Sequence, residues 1–244
     1  MISFLPYYGG YVKPFGDLVA IEETSVTPGG KLFPENEETE ILLVGREGSL
    51  EVRQGDSEPD HLGRNRCLVL RPESSDYSFR NSGEYGVSRF ISMGFRPGDE
   101  PVPAESNDRM SFSIKGGRTS LLTLASGSGE ENSLRLSIDA VVSLARIGKA
   151  EKLIFETQTS RRIILMVLEG SVAAERSRFN INDSLMVMGE PLVSLYAYDQ
   201  ARVLIVDLPE YKSPFELEQE AEQEAADKAE RKAKYLEQNQ DSVE

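Results

Sequence analysis

The chain has 244 residues, enough for two modest domains with their own cores, and 41 acidic against 27 basic residues leave a net charge of −14. That charge repels phosphate backbones and anionic lipid, which excludes direct nucleic-acid binding and membrane association and leaves a protein or a small molecule as partner. Cys67 is the single cysteine, so no intrachain disulfide forms; the start lacks an export signal and no apolar run is long enough to cross a bilayer, which together point to the cytoplasm.

Short runs of β-branched and apolar residues between turn signals predict strands at 18–21, 40–44, 49–53, 67–70, 77–80 and 87–95. The segment Arg96-Pro97-Gly98-Asp99-Glu100-Pro101-Val102-Pro103 follows, where three prolines remove ladder donors and mark a connector. Residues 106–132 are mixed: Met110, Phe112 and Ile114 alternate, 121–124 is apolar, and Ser126-Gly127-Ser128-Gly129 reads as a flexible turn. This stretch either packs back on the first strand set or opens the next. A second set is predicted at 134–138, 141–145, 152–156, 162–168, 172–175, 185–188, 192–198 and 202–208.

Two stretches repeat one pattern. Residues 44–52 and 166–174 each read as a strand, a turn at Glu47-Gly48-Ser49 or Glu169-Gly170-Ser171, and a returning strand. The economical fold is therefore all-β, two tandem barrels. The expected divisions are a first barrel at 1–100, a connector with shared strands at 101–132, a second barrel at 133–210, and an acidic helix and tail at 211–244.

The last division begins with Ser213 as cap, Pro214 at the first helical position and Glu216 able to bond back to the cap. Glu224 with Lys228, Asp227 with Arg231 and Glu230 with Lys234 add pairs four residues apart, and basic residues crowd the C-terminal half, matching the helix dipole. Its apolar stripe of Leu217, Ala221, Ala225, Ala229 and Ala233 is thin. The helix is thus either a solvated extension or a face for a barrel or a second copy, and a monomer or weak homodimer is expected.

The run from Phe33 to Gly48, with Pro34, Asn36, Glu40 and the Glu47-Gly48 turn, resembles the first cupin motif of the pirin-like bicupins, particularly the YhaK-type branch. Tyr77-Ser78-Phe79-Arg80-Asn81-Ser82, Phe90-Ile91-Ser92-Met93-Gly94-Phe95 and the closing strand from Ala201 to Pro209 are similar to later family stretches in the same order. The resemblance spans roughly residues 15 to 210. It implies two cupin barrels, double-stranded β-helices of jelly-roll type.

Metal-bearing members of that family hold a transition metal on three histidines and a glutamate. Counted along the resemblance, those positions fall on Pro34, Asn36, Tyr77 and Phe79. Proline and phenylalanine offer no donor atom, and Asn36 and Tyr77 are poor replacements for imidazole and carboxylate. In the second repeat the first two positions fall on Glu156 and Gln158. The resemblance thus implies the scaffold while arguing against the family's metal chemistry, including quercetin dioxygenase activity. Neither a metal nor any other cofactor is expected, and no catalytic residue is assigned.

Tyr77 and Phe79 share one face of a strand, so they either plug the first barrel or narrow it to a small pocket with Tyr77 and Asn36 as polar contacts. His61, the one histidine, lies in a polar stretch from Gly55 to Gly63 that reads as an exposed hairpin loop, without the rigid frame of a catalytic base. Glu35, Glu37, Glu38 and Glu40 lack the spacing of a calcium loop and read as a solvated edge. Cys67 opens an apolar strand and reads as a small core residue. Gly116-Gly117-Arg118 and Gly127-Ser128-Gly129 read as turns, not phosphate loops. Arg161 with Arg162, and Arg176 with Arg178, either grip an anion or balance nearby acids. Two classes of function stay open: a non-catalytic bicupin serving as a protein-interaction or small-molecule-binding regulatory module, and a cupin enzyme with a degenerate or unconventional site.

Overall fold

A computed structural model of the chain describes residues 2–5, 11–12, 16–32, 39–56, 58–71, 77–98, 102, 108–113, 118–174 and 177–209. The expected C-terminal helix, Pro34, Asn36, Glu35, Glu37, Glu38, Gly116, Gly117 and Arg176 lie outside the described residues. In chain order the strands are β1 (Ile2–Leu5), β2 (Tyr11–Val12), β3 (Leu18–Val26), β4 (Lys31–Leu32), β5 (Glu40–Glu47), β6 (Ser49–Gln54), β7 (Asp60–Gly63), β8 (Arg66–Leu70), β9 (Tyr77–Arg80), β10 (Ser88–Phe95) and β11 (Arg109–Ser111). They continue with β12 (Ser120–Ser126), β13 (Leu134–Arg135), β14 (Val141–Ile147), β15 (Lys152–Glu156), β16 (Arg162–Glu169), β17 (Ser171–Ala174), β18 (Ser177–Asn180), β19 (Ser184–Met188), β20 (Leu192–Ala197) and β21 (Ala201–Leu208). No helix occurs among the described residues, so none there could cross a membrane.

Each barrel is a pair of sheets. The first has the six-stranded order β11-β8-β5-β10-β3-β2 facing the four-stranded order β4-β9-β6-β7. The second has β1-β19-β16-β21-β14-β12-β13 facing β15-β20-β17-β18. Adding eleven to each strand number of β4-β9-β6-β7 gives β15-β20-β17-β18, and the same shift carries β8-β5-β10-β3 onto β19-β16-β21-β14. One topology therefore occurs twice, as the repeated Glu-Gly-Ser turn predicts. At those turns Gly48 and Gly170 have φ of +69° and +74°, left-handed values that strain other residues, and a Cβ on Gly170 would collide with the Gln200 carbonyl oxygen.

One strand departs from the expected divisions: Ile2–Leu5, counted with the first barrel, pairs with β19 of the second. Strand β11 joins β8 of the first barrel, and β12 pairs with β14 of the second. The mixed stretch 106–132 thus serves both barrels. Three apolar cores explain why the central strands are hydrophobic on both faces. In β5, Ile41 and Leu43 face the interior of the first barrel, while Leu42 and Val44 face a core shared with the second. In β16, Ile163, Leu165 and Val167 line the second interior, while Ile164, Met166 and Leu168 enter the shared core. That shared core ties both barrels into one unit, Met1–Glu210.

Candidate functional site

Of the four residues carried over from the resemblance, Tyr77 and Phe79 lie on β9, while Pro34 and Asn36 fall outside the described residues. The register of β9 sets Tyr77 opposite Gln54 and Phe79 opposite Val52 of β6, so both aromatic side chains leave the strand on its inner face. Phe79 is 5% exposed and stands edge-on to Phe90, ring centroids 5.6 Å apart, within the apolar filling of the first barrel. Tyr77 packs against the same cluster, and its hydroxyl accepts the Arg71 backbone N–H at 3.3 Å. Beside it is a cavity of about 190 Å³ walled by Val52, Leu68 and Leu70, with Gln54, Asp60, Asp108 and Arg109 as its polar lining. Asp60 and Arg109 are paired with each other.

This arrangement does not fit a transition metal. The Phe79 ring has no donor atom, and among the described residues no three His, Cys, Asp or Glu side chains converge. His61 lies on strand β7, not in a loop as its polar neighbours suggest, and it is exposed opposite Glu51 while Leu62 beside it is buried. In the second barrel Glu156 and Gln158 are exposed, and Glu156 points away from the interior that Leu153 and Phe155 enter. The cross-strand register finds the other two positions, which the sequence did not reveal. Val52 pairs with Phe79 as Ala174 pairs with Leu195, so Tyr77 and Phe79 correspond to Val193 and Leu195, both buried in apolar core.

Glu40 was read as part of a solvated edge, and the structure corrects this. Its side chain is 1% exposed and pairs with Arg71, while Ser137 donates to it from both backbone N–H and hydroxyl at 2.9 Å. Arg71 also reaches Asp108 at 2.8 Å and the Arg135 carbonyl at 3.0 Å. Glu40 and Arg71 belong to the first barrel and Ser137 to the stretch leading into β14, so this buried charge network staples the two barrels. A buried pair of this kind is costly to break, because the surviving charge is left without its partner.

Of the arginines singled out in the second repeat, Arg161, Arg162 and Arg178 are held by the protein itself. Arg161 bonds Asp207 at 2.7 Å and Asp139 at 2.8 Å; burial opposes its charge, but the hydrogen bonds to these two acids outweigh it and hold the guanidinium above its ordinary range. Arg162 donates to the Pro209 carbonyl at 2.8 Å and 3.1 Å. Arg178 bonds the Ser171 hydroxyl at 2.9 Å and lies 4.8 Å from the Tyr198 ring centre. Cys67 is wholly buried in the shared core, and burial pushes its thiol up to about 12. Gly129, with φ of +69° and its N–H on the Ser126 carbonyl, belongs to a turn and not a phosphate loop.

Two face-to-face sheet pairs built on one repeated topology define a bicupin. Residues 123–208 match the family model of the quercetinase C-terminal cupin domain. A Pseudomonas aeruginosa protein whose name assigns it provisionally to the quercetin 2,3-dioxygenases is 24% identical over 227 residues, covering 84% of this chain and 89% of the relative. Among solved structures, Escherichia coli bacterial pirin YhhW in complex with nickel(II) superposes with a TM-score of 0.69 at 20% identity, over 85% of this chain and 89% of that one. E. coli YhaK gives a TM-score of 0.66 at 19% identity, over 86% and 93%. These likenesses are to pirin-like proteins, the family the sequence resembles, and they share one two-barrel cupin fold with this chain.

Proposed function

We infer that this protein is a non-catalytic pirin-like bicupin that works as a binding or regulatory module without the family's metal chemistry. The observation that carries the reading is Phe79, buried against Phe90 where the resemblance expects a carboxylate ligand. The cavity beside Tyr77, about 190 Å³, is smaller than the 300 Å³ or so at which pockets for drug-sized ligands begin. The same packing favours a protein partner over a ligand inside the first barrel.

One finding favours the second reading, an enzyme with an unconventional site: two E. coli relatives 22% identical to this chain are named quercetin 2,3-dioxygenase. Oxygen uptake with quercetin separates the two. The full chain supplied with nickel, iron or copper is expected to consume oxygen no faster than the free metal at equal concentration. Turnover that saturates in quercetin and scales with protein would make the protein an enzyme.

A further inference from the structure

We propose that a groove on the outer face of the first barrel's four-stranded sheet binds a small hydroxylated anion, a phosphate ester or carboxylate that also carries hydroxyl groups. The strand order β4-β9-β6 sets Lys31 opposite Arg80, Arg80 opposite Glu51, and Ser78 opposite Arg53. Glu51, Arg53, Ser78 and Arg80 alternate with the inward-facing Leu50, Val52, Tyr77 and Phe79, so they project from the opposite side of the sheet. With Gly29 and Lys31 they line a groove of about 460 Å³, a volume typical of small-molecule sites. Among the described residues it shares none with the cavity at Tyr77.

Charge is the first argument. Three cations and one acid crowd this face of a chain whose net charge is −14. Arg80 stands between Lys31 on one neighbouring strand and Glu51 on the other. Among the described residues no carboxylate pairs with Arg53 or Arg80, nor with Arg66, Arg96 or Arg178; what sets Arg53 and Arg80 apart is that they share one groove with Lys31. A bound anion would use the guanidinium donors of Arg53 and Arg80, which suit planar carboxylate or phosphate oxygens.

The second argument is a fixed frame. Thr27-Pro28-Gly29-Gly30 closes with the Gly30 N–H on the Thr27 carbonyl at 2.9 Å, Pro28 preset at the second position and Gly29 at φ +73° in the third, the pattern of a type II turn. Asn81, buried just beyond β9, donates to the Val26 carbonyl at 2.9 Å and the Gly86 carbonyl at 3.0 Å and accepts the Gly83 N–H at 3.0 Å. Its backbone also bonds Gly29 and Gly30. The wall carrying Gly29 and Lys31 is therefore held in place before any ligand arrives, which lowers the ordering cost of binding.

Glu51 sets the class of ligand. A carboxylate in the same row as Arg80 repels a bare polyanion but accepts hydrogen bonds from a hydroxyl, and the Ser78 hydroxyl can donate or accept beside it. The groove therefore selects an anionic group at Arg53 and Arg80 with hydroxyls next to it.

Calorimetric titration of the full chain at low ionic strength, with glycerol 3-phosphate, gluconate and inorganic phosphate as probes, tests this. Saturable binding of glycerol 3-phosphate or gluconate, tighter than that of inorganic phosphate, is expected, and the stronger of the two identifies the ester or the carboxylate as the natural chemistry. Arg53→Gln and Arg80→Gln should each weaken it about tenfold or more. Arg53→Lys, which keeps the charge and loses the fork, should weaken it less. Glu51→Gln should narrow the preference for the hydroxylated probe over phosphate. Arg89→Gln, an exposed cation on β10 paired with Glu47, should leave binding unchanged. Absence of saturable binding for all three probes, an equal loss in Arg89→Gln, or binding of an acidic peptide alone would overturn the proposal.

Discussion

Phe79→Ala removes the side chain that stands where the resemblance to pirin-like proteins expects a ligand. The ring is 5% exposed and meets Phe90 edge-on at 5.6 Å. Restoring an aromatic of this size to water exposes about 150–200 Å² of apolar surface, worth roughly 4–5 kcal/mol at about 25 cal/mol per Å². Measured truncations of buried Phe fall at about 3–5 kcal/mol, because the cavity left behind offsets any relaxation. A loss of about 3–4 kcal/mol is expected, the nearby space at Tyr77 allowing some collapse of the wall. Phe79→Leu keeps most of the burial and forfeits the ring pair, for about 1–1.5 kcal/mol. Phe79→Glu reinstates a carboxyl in an apolar core and should cost more than alanine at neutral pH. Burial raises that carboxyl's pKa, so its folded state holds the proton more tightly than the unfolded chain, and the penalty shrinks as the pH falls. Urea unfolding followed by circular dichroism, with an unchanged slope, reads these differences. A cost below about 1 kcal/mol for Phe79→Ala, or a Phe79→Glu protein restored to parental stability by added nickel, would refute a packing role.

Glu40→Ala strands Arg71 at the staple between the barrels and should cost about 3–5 kcal/mol, with the combined Glu40→Ala, Arg71→Ala protein losing less than the sum of its parts in urea titrations. Cys67, its thiol pushed up to about 12 in the shared core, should resist iodoacetamide in the native protein and react once urea unfolds it, as intact-mass measurement will show. Glu151 accepts the Thr119 hydroxyl at 2.6 Å and its backbone N–H at 2.7 Å, and the hydrogen bonds to Thr119 hold its carboxyl below the usual range. Its folded pKa is depressed, so its stabilising contribution is present above the ordinary carboxylate range and is lost on acidification through the lowered value. Thr119→Val should move that titration upward in a carboxyl-resolved NMR experiment.

The two barrels were legible because β5, β16 and β21 are long apolar runs bounded by turns, and because the Glu-Gly-Ser turn carries the same bend twice. Short strands escaped for lack of pattern. Asp60–Gly63 contains one buried apolar residue, Leu62, and Ser177–Asn180 contains only Phe179, too little alternation to stand out from loop. Ile2–Leu5 illustrates a different limit, since its partner β19 lies some 180 residues away and nothing local encodes long-range pairing. Around the candidate site, strand alternation put Tyr77 and Phe79 on one face, and the family resemblance turned that face inward. The burial of Glu40 was not legible, because its neighbours in sequence are acids and its counter-ion, Arg71, arrives from beyond β8. For Arg161 and Arg162 the sequence left anion binding and pairing with nearby acids both open, because Asp139, Asp207 and the Pro209 carbonyl reach them only through the fold.

The most direct test of a bicupin without its family's metal is elemental analysis of the full chain, expressed in nickel- and iron-supplemented medium and purified without chelator or metal-affinity resin. Nickel, iron, copper and zinc should each stay far below one atom per chain, and Tyr77→Ala should leave the values unchanged. About one equivalent of any of these metals, lost on substitution of Tyr77 or Asn36, would contradict the account.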